Sequence, residues 1–387
     1  MKIALVLNDD FSMWHFRGGL MKRLVGEGHA VYAITPAGSY VKKMEGIGVT
    51  HISIPVGRFI DPMQDILLCI RLYLIFRKEK FDIVHTMTIK PNIYGTIAAR
   101  MAGIKRIVGL VSGLGFMFSR DPGIILRICR PFIMGIYRFA CKLSDRVWFQ
   151  NEDDMRFFIE RRVIAKDKAI LIKSGGINLY EYSPGTVSYE KLNILRDELG
   201  ISKTGVTVIM VTARMIWSKG VREYIKAAEI LLARYPETKF ILVGPLDERS
   251  PDAVPAEYLR AKGRNPNIKI ISEFRDDVKE MIALSDIVVL PSYYKEGVPR
   301  VLLEALAMAK PVVTTDTPGC SETVECGKNG YLIPIKDADA LAKALGSFLG
   351  DSSILEGFGR YSRIKAEKEF NEKAVIGDII KNLYNCG

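Results

Sequence analysis

Between positions 286 and 309 a strand pattern passes through a short loop into a helical one, and this junction limits what the chain can become. Asp286-Ile287-Val288-Val289-Leu290 is an apolar, β-branched run without alternation, the pattern of a strand buried on both faces. Over 299–309 the spacing turns helical, with Pro299 suited to a first-turn position. A doubly buried strand feeding a helix predicts a parallel sheet covered by helices, that is, an α/β chain. The loop carries Glu296, and Glu304 follows about one and a half turns into the helix. Carboxylates so spaced are expected on the order of 10 Å apart. Between them lie the first helical amides, around Arg300 and Val301, which have no intrahelical acceptor and form a natural anion site. Either carboxylate alone reads equally well as a dipole contact or a solvent-facing group. Together they outline a site for a nucleotide sugar, with two hydroxyl acceptors flanking a phosphate cradle.

The same alternation runs through the chain. A strand over 2–7 leads into a loop through His15 and Arg17 to Gly18-Gly19, then a helix over 20–26 and a strand over 30–35. A glycine pair in that loop lets backbone approach a ligand at the first sheet's switch point. No G-x-G-x-x-G appears, which weighs against a dinucleotide-dependent dehydrogenase. A strand over 82–85 delivers His85, Thr88 and Lys90 to a strand's carboxyl end, where open α/β sheets bind ligands. His85 also reads as a core-edge histidine bonded to backbone. Lys173-Ser174-Gly175-Gly176-Ile177-Asn178, with Tyr182 and Pro184 beyond, marks a domain change. The alternation then restarts with a strand over 206–212, the loop bearing Arg214 and Lys219, and a helix over 221–234. A lysine beside a helix start opposes the dipole unless an anion binds there, and two fixed cations suit a diphosphate. The division predicted is 1–175 and 176–367, with a last helix over 368–387 returning to the first domain.

Two spacings carry a family resemblance: Glu296-Gly297-Val298-Pro299 followed by Leu303-Glu304-Ala305, and Ala213-Arg214 followed by Lys219-Gly220. They resemble the retaining glycosyltransferases of family 4, and the resemblance covers nearly the whole chain. It implies the GT-B fold, two facing Rossmann-like domains with an interdomain cleft. It also implies roles. Arg214, Lys219 and the amides at Arg300 and Val301 would hold a donor diphosphate, Glu304 the ribose, and Glu296 a hydroxyl of the donor sugar. Gly18 and Gly19 would lie against the diphosphate and the acceptor, and the loop of Arg275 beside the nucleotide base. Lys90 and His85 would sit near the transferred sugar, although Met87 occupies the place of the histidine that makes this contact in many members. Gly175 likewise replaces a usual asparagine. His15-Phe16-Arg17, Thr88-x-Lys90-x-Asn92 and Pro318-Gly319-Cys320 are similar to the bacterial branch that acts on undecaprenyl-diphosphate-linked sugars. The expected partners are therefore a UDP-sugar (GalNAc or another hexose) and a polyprenyl-diphosphate-linked glycan, with no cofactor and no metal. A soluble-acceptor transferase and a nucleotide-sugar epimerase are the enzymatic alternatives. A decayed, non-enzymatic binding protein conflicts with intact Arg214, Lys219, Glu296 and Glu304.

Charge placement supplies a separate expectation. The chain of 387 residues carries +11, and all of it lies in residues 1–172, with 26 Lys and Arg against 15 Asp and Glu. Arg127, Arg130, Arg138 and Lys142 fall within an arc of roughly 120° on an otherwise apolar segment, and 64–80 is similar, with Arg71, Arg77, Lys78 and Lys80. Basic apolar helices of this kind rest on anionic membranes, the alternative being a buried helix with snorkelling ends. No run approaches the length of a spanning helix, and 1–7 is too short for a signal-peptide core. The six cysteines show no zinc spacing and read as reduced thiols, mostly core filling. No nucleic-acid motif accompanies the charge. The location expected is cytoplasmic, peripheral at the inner face of a bacterial plasma membrane.

Overall fold

A computed structural model describes residues 1–57, 61–114, 124–201 and 207–384, with the side chains of 124–127 and 129 outside that description. The chain forms two compact units, Met1–Gly176 with Glu372–Gly387, and Ile177–Asn371. The first holds strands β1 (Lys2–Val6), β2 (Ala30–Thr35), β3 (Thr50–Ser53), β4 (Ile83–Met87), β5 (Arg106–Val111), β6 (Arg146–Phe149) and β7 (Ala169–Leu171). Every pairing is parallel, in the order β3-β2-β1-β4-β5-β6-β7. The second unit repeats the plan with β8 (Val208–Thr212), β9 (Lys239–Val243), β10 (Ile268–Ile271), β11 (Ile287–Leu290), β12 (Val312–Thr315) and β13 (Gly330–Ile333). Its order is β10-β9-β8-β11-β12-β13, again all parallel. These are the two Rossmann-like domains of the GT-B class. Strand order reverses between β1 and β4 in one sheet and between β8 and β11 in the other, and such switch points are where open α/β sheets bind ligands.

The runs read as strands are buried on both faces, as β11 shows with all four residues enclosed. One local expectation is corrected. The first helix spans Asp10–Gly26, so His15, Arg17, Gly18 and Gly19 lie inside it and not in a loop. Asp9 caps it, its side chain accepting the Ser12 amide at 2.6 Å. Met13, Leu20, Met21 and Leu24 bury one stripe in the core. Cap and stripe together outweigh the roughly 1 kcal/mol that each glycine costs in a helix. At Gly19 a Cβ would collide with the Glu372 carboxylate, so the glycine is where a second helix comes close.

That second helix, Glu372–Ile379, with the turn Ile380–Tyr384 after it, completes the first unit's core. Val375, Ile376, Ile379, Leu383 and Tyr384 are buried there, and the Tyr384 hydroxyl lies 2.7 Å from Nδ1 of His85. Fully burying side chains of this size stabilises by roughly 1.5–3 kcal/mol each. Five of them match the whole 5–15 kcal/mol typical of a domain. Ending the chain after Asn371 is therefore expected to abolish the cooperative thermal unfolding of the first unit. Retention of that transition in the truncated chain would contradict this account of the core.

Candidate active site

Three loops stack at the carboxyl end of the second sheet. After β8 the chain runs through Ala213 and Arg214 to a single 3-10 turn, Trp217–Lys219, and turns at Gly220 (φ +78) into the helix Val221–Leu232. A Cβ at Gly220 would strike the Pro291 carbonyl, so the turn presses directly on the loop that follows β11. The Ser218 carbonyl accepts the amides of Tyr293 and Tyr294 at 2.8 and 3.1 Å and ties the two loops together. The third loop, after β12, passes so close at Gly319 (φ +79) that a Cβ there would overlap the Gly297 carbonyl. Thr315 Oγ1 adds a hydrogen bond to the Ser292 carbonyl.

This stacking brings Lys219 and Glu296 together. Nζ of Lys219 lies 2.7 Å from Oε1 of Glu296, and each side chain is 13% exposed. Ser292 Oγ donates to the same carboxylate oxygen at 2.7 Å. Burial, and after it the Glu296 charge, pushes the neighbouring Cys320 thiol up to about 11, so it is no nucleophile at neutral pH. Arg214 is held separately, with Nη1 2.6 Å from the buried Asp247 carboxylate in the loop after β9. Asp252 in that loop accepts the Ser218 amide at 2.9 Å. Asp247, Asp252 and Ser292 went unread in the sequence, because they lie in loops without periodicity, and the first two act on partners more than thirty residues away.

The helix after β11 spans Arg300–Ala307, with Pro299 at its N-cap. The Pro299 carbonyl accepts the amides of Leu302 and Leu303 at 3.2 and 3.3 Å; those of Arg300 and Val301 precede the first helical acceptor. Glu304 is buried, and Nε of Arg300 on the preceding turn donates to it at 2.8 Å. Burial raises its pKa, and Arg300 and the Tyr182 hydroxyl oppose that shift. A carboxylate offers about four lone-pair sites, so two contacts leave room for a diol. Arg275, in the loop after β10, is clamped by Glu198 at 2.5 Å and Asp277 at 2.6 Å, and its charge is neutralised within the protein.

The candidates of the first unit sit differently. His85 is fully buried, bonded through Nδ1 to Tyr384, and its Nε2 has no hydrogen-bond partner among the described residues. Met87 Sδ accepts a contact from Nε of the buried Arg17 at 3.3 Å. The same guanidinium lies 4.8 Å from the centre of the Trp148 ring. Lys90 pairs with the buried Asp65 at 2.5 Å. Just past β4, Thr88 adopts φ +71, a strained value for a β-branched residue. Gly18 and Gly19, two turns inside the first helix, offer no loop backbone. Of the basic stripe, Arg138 donates to the carbonyls of Arg161 and Arg162 at 3.0 and 2.9 Å, while Lys142 is exposed and Arg130 partly exposed. The Arg127 side chain lies outside the described residues.

Burial, and after it the Arg17 charge, lowers the His85 pKa to about 3. In the unfolded chain it returns to about 6.5, so below that pH the unfolded state takes up a proton that the folded state refuses. The stabilisation is complete above pH 6.5 and is lost as the pH falls toward 3, by about 2 kcal/mol between pH 7 and pH 5. Urea unfolding of wild type and His85→Gln over this range is the check. A shallower pH slope is expected for the variant, and identical slopes would place the proton elsewhere.

Comparison with known proteins adds to the geometry. Residues 2–151 match the family model described as glycosyl transferase 4-like, and residues 193–365 that of glycosyl transferases group 1. The N,N'-diacetylbacillosaminyl-diphospho-undecaprenol alpha-1,3-N-acetylgalactosaminyltransferase of Campylobacter jejuni subsp. jejuni is 30% identical, over 92% of this chain and 91% of its own. The UDP-Gal:alpha-D-GlcNAc-diphosphoundecaprenol alpha-1,3-galactosyltransferase of Escherichia coli is 27% identical, over 84% and 81%. Among solved structures, Anabaena HepE in complex with UDP and glucose superposes with a TM-score of 0.78 at 20% identity, covering 100% of both chains. With its matched domains, its parallel sheets and these relatives, the chain belongs to the group 1, family 4-like glycosyltransferases.

Proposed function

We propose that this glycosyltransferase moves a sugar from a UDP-linked donor, with retention of configuration, onto a hydroxyl of a glycan carried on a polyprenyl diphosphate. The observation that carries the reading is the Lys219–Glu296 pair, with Arg214 and the first amides of Arg300–Ala307 on neighbouring loops of one switch point. The names of the Campylobacter and Escherichia relatives, both specifying undecaprenyl-diphosphate acceptors, support the acceptor class. A UDP-bound neighbour of the same fold agrees with the donor class.

The proposed chemistry rests on charge. As the anomeric C–O bond lengthens, negative charge grows on the leaving diphosphate, where Lys219, Arg214 and the amides of Arg300 and Val301 oppose it. Glu304 takes the ribose hydroxyls on its remaining lone pairs. Glu296, released by Lys219 as the phosphate arrives, holds a hydroxyl of the donor sugar and steadies positive charge near the anomeric carbon. The acceptor hydroxyl attacks from the face the diphosphate leaves, and its proton passes to a leaving phosphate oxygen. Two protein cations already neutralise the phosphates, so a metal-independent reaction is proposed. His85, buried against Tyr384, is left as a structural residue, and Lys90 with Asp65 as a support for the loop after β4. The membrane-linked acceptor places the enzyme against an anionic membrane surface, at the inner face of the plasma membrane.

A panel of UDP- and GDP-sugars, scored for slow hydrolysis and for transfer to lipid-linked acceptors, tests this. A UDP-sugar is expected to turn over with or without EDTA, and Lys219→Ala is expected to lose on the order of 10² in kcat. Turnover only with GDP-sugars, full loss in EDTA, or an unaffected Lys219→Ala would contradict the proposal.

A further inference from the structure

The helix Pro62–Glu79 is apolar on two sides. Its inner side, Leu68, Leu72 and Phe76, belongs to the core with Ala98 and Ala99. Its outer side presents Met63, Ile66, Ile70 and Leu74, exposed by 68, 57, 48 and 59%. These four fall within an arc of roughly 80° and extend about 16 Å along the helix. The helix Ile124–Leu143 has the same character, with Ile128 and Phe132 each 73% exposed and Phe139 beside them on one face. Both helices pack against the segment Pro91–Met101, so they belong to one helical layer of the first unit. No helix among the described residues is long and apolar enough to cross a membrane. An apolar layer of this extent on an otherwise ordinary domain marks an interaction surface.

Charge identifies the partner. Within these two helices and the segment Pro91–Met101 the only acidic residues are Asp65 and Glu79. Asp65 is buried against Lys90 at 2.5 Å, and Glu79 is paired with Lys2 at 2.7 Å. The exposed charges along the stripes are cations: Arg71, Arg77 and Lys78 on one helix, Arg138 and Lys142 on the other. A protein partner with a matching apolar groove would not need so one-sided a rim, whereas an anionic bilayer offers hydrocarbon below a negative surface.

We infer that this layer docks on an anionic bilayer chiefly by inserting the stripe Met63, Ile66, Ile70 and Leu74, with the neighbouring cations drawing the layer to the surface. The inference rests on the membrane-linked acceptor proposed above and deepens it. It transfers the anchoring role from the charges of 127–142 to an apolar face on a different helix. Salt then separates the two contributions, because screening weakens the cations and leaves insertion in place.

The test is co-sedimentation with vesicles of phosphatidylglycerol and phosphatidylcholine, and with phosphatidylcholine alone. Two variants are compared with wild type: Met63→Gln, Ile66→Gln, Ile70→Gln, Leu74→Gln together, and Arg71→Gln, Arg77→Gln, Lys78→Gln together. All seven side chains are exposed, so thermal unfolding is expected to stay unchanged. Wild type is expected to bind the anionic vesicles at low salt and to keep part of that binding at about 1 M salt, where the Debye length is about 3 Å. The apolar variant is expected to lose at least tenfold under both conditions. The charge variant is expected to lose about fivefold per cation at low salt and to match wild type at high salt. As a second readout, the emission of Leu74→Trp is expected to shift to the blue on anionic vesicles. Wild-type binding by the apolar variant would overturn the inference. So would a wild type that ignores vesicles and sediments as a dimer broken by the apolar variant, since a second copy would then cover the stripe. Turnover on a water-soluble acceptor saccharide without vesicles is expected to be equal in all three proteins. An inactive wild type there contradicts the transferase proposal and leaves the vesicle result standing.

Discussion

Lys219 and Glu296 meet at 2.7 Å because two distant segments are forced together where the second sheet reverses its strand order. In a parallel sheet the neighbours β8 and β11 are far apart in sequence, yet their carboxyl ends emerge side by side. Glycine at 220 and 319 then removes the side chains that would hold three loops apart, and the Ser218 carbonyl joins two of them. Part of the entropy cost of the pair is already met on the carboxylate side, where Ser292 holds Glu296. Without the stacked backbones, a lysine and a glutamate on neighbouring loops would be another exposed ion pair of small worth.

Pairing of this kind solves a problem common to anion sites. Uncompensated cations in an enclosed loop repel one another and lose hydration. Here each of three cations has its own carboxylate: Lys219 has Glu296, Arg214 has Asp247, and Arg300 has Glu304. The three pairs differ in what they can release. Glu304 is buried and held by its own helix, which suits a fixed hydroxyl acceptor. Asp247 is buried while Arg214 is partly exposed, so the carboxylate can orient the guanidinium and leave its outer nitrogens available. Lys219, with three donors and a flexible stem, can exchange a carboxylate for a phosphate.

Much of this was legible in the sequence where the signal was local. Arg214, Lys219, Glu296 and Glu304 each sit at a strand-to-helix junction whose pattern spans fewer than about twenty residues, and the pattern alone places them at a sheet's carboxyl end. Signals failed where tertiary contacts decide. Gly18 and Gly19 read as a loop because glycine weakens helices, yet the Asp9 cap and a buried stripe carry the helix through them. His85 and Lys90 fall at a strand end as expected, but their partners, Tyr384 and Asp65, come from other elements and turn them toward the interior. Arg275, whose loop the resemblance sets beside the nucleotide base, has its side chain clamped by Glu198, on a helix well before it in the chain. The stretch 64–80 was legible as a basic apolar helix suited to a membrane, but which of its apolar side chains stay exposed is decided by the packing of Leu68, Leu72 and Phe76 into the core.

The central claim is that Lys219 serves the diphosphate and Glu296 the sugar, their contact being exchanged on binding. Calorimetric titration of UDP, which carries the diphosphate without the sugar, into Glu296→Gln and Lys219→Ala tests it most directly. If the claim holds, Glu296→Gln binds UDP at least as tightly as wild type, because Lys219 is freed from its carboxylate, whereas Lys219→Ala binds it more weakly by roughly 1.5–3 kcal/mol. An equal loss of UDP affinity in both variants would contradict the claim and make Glu296 a support for Lys219.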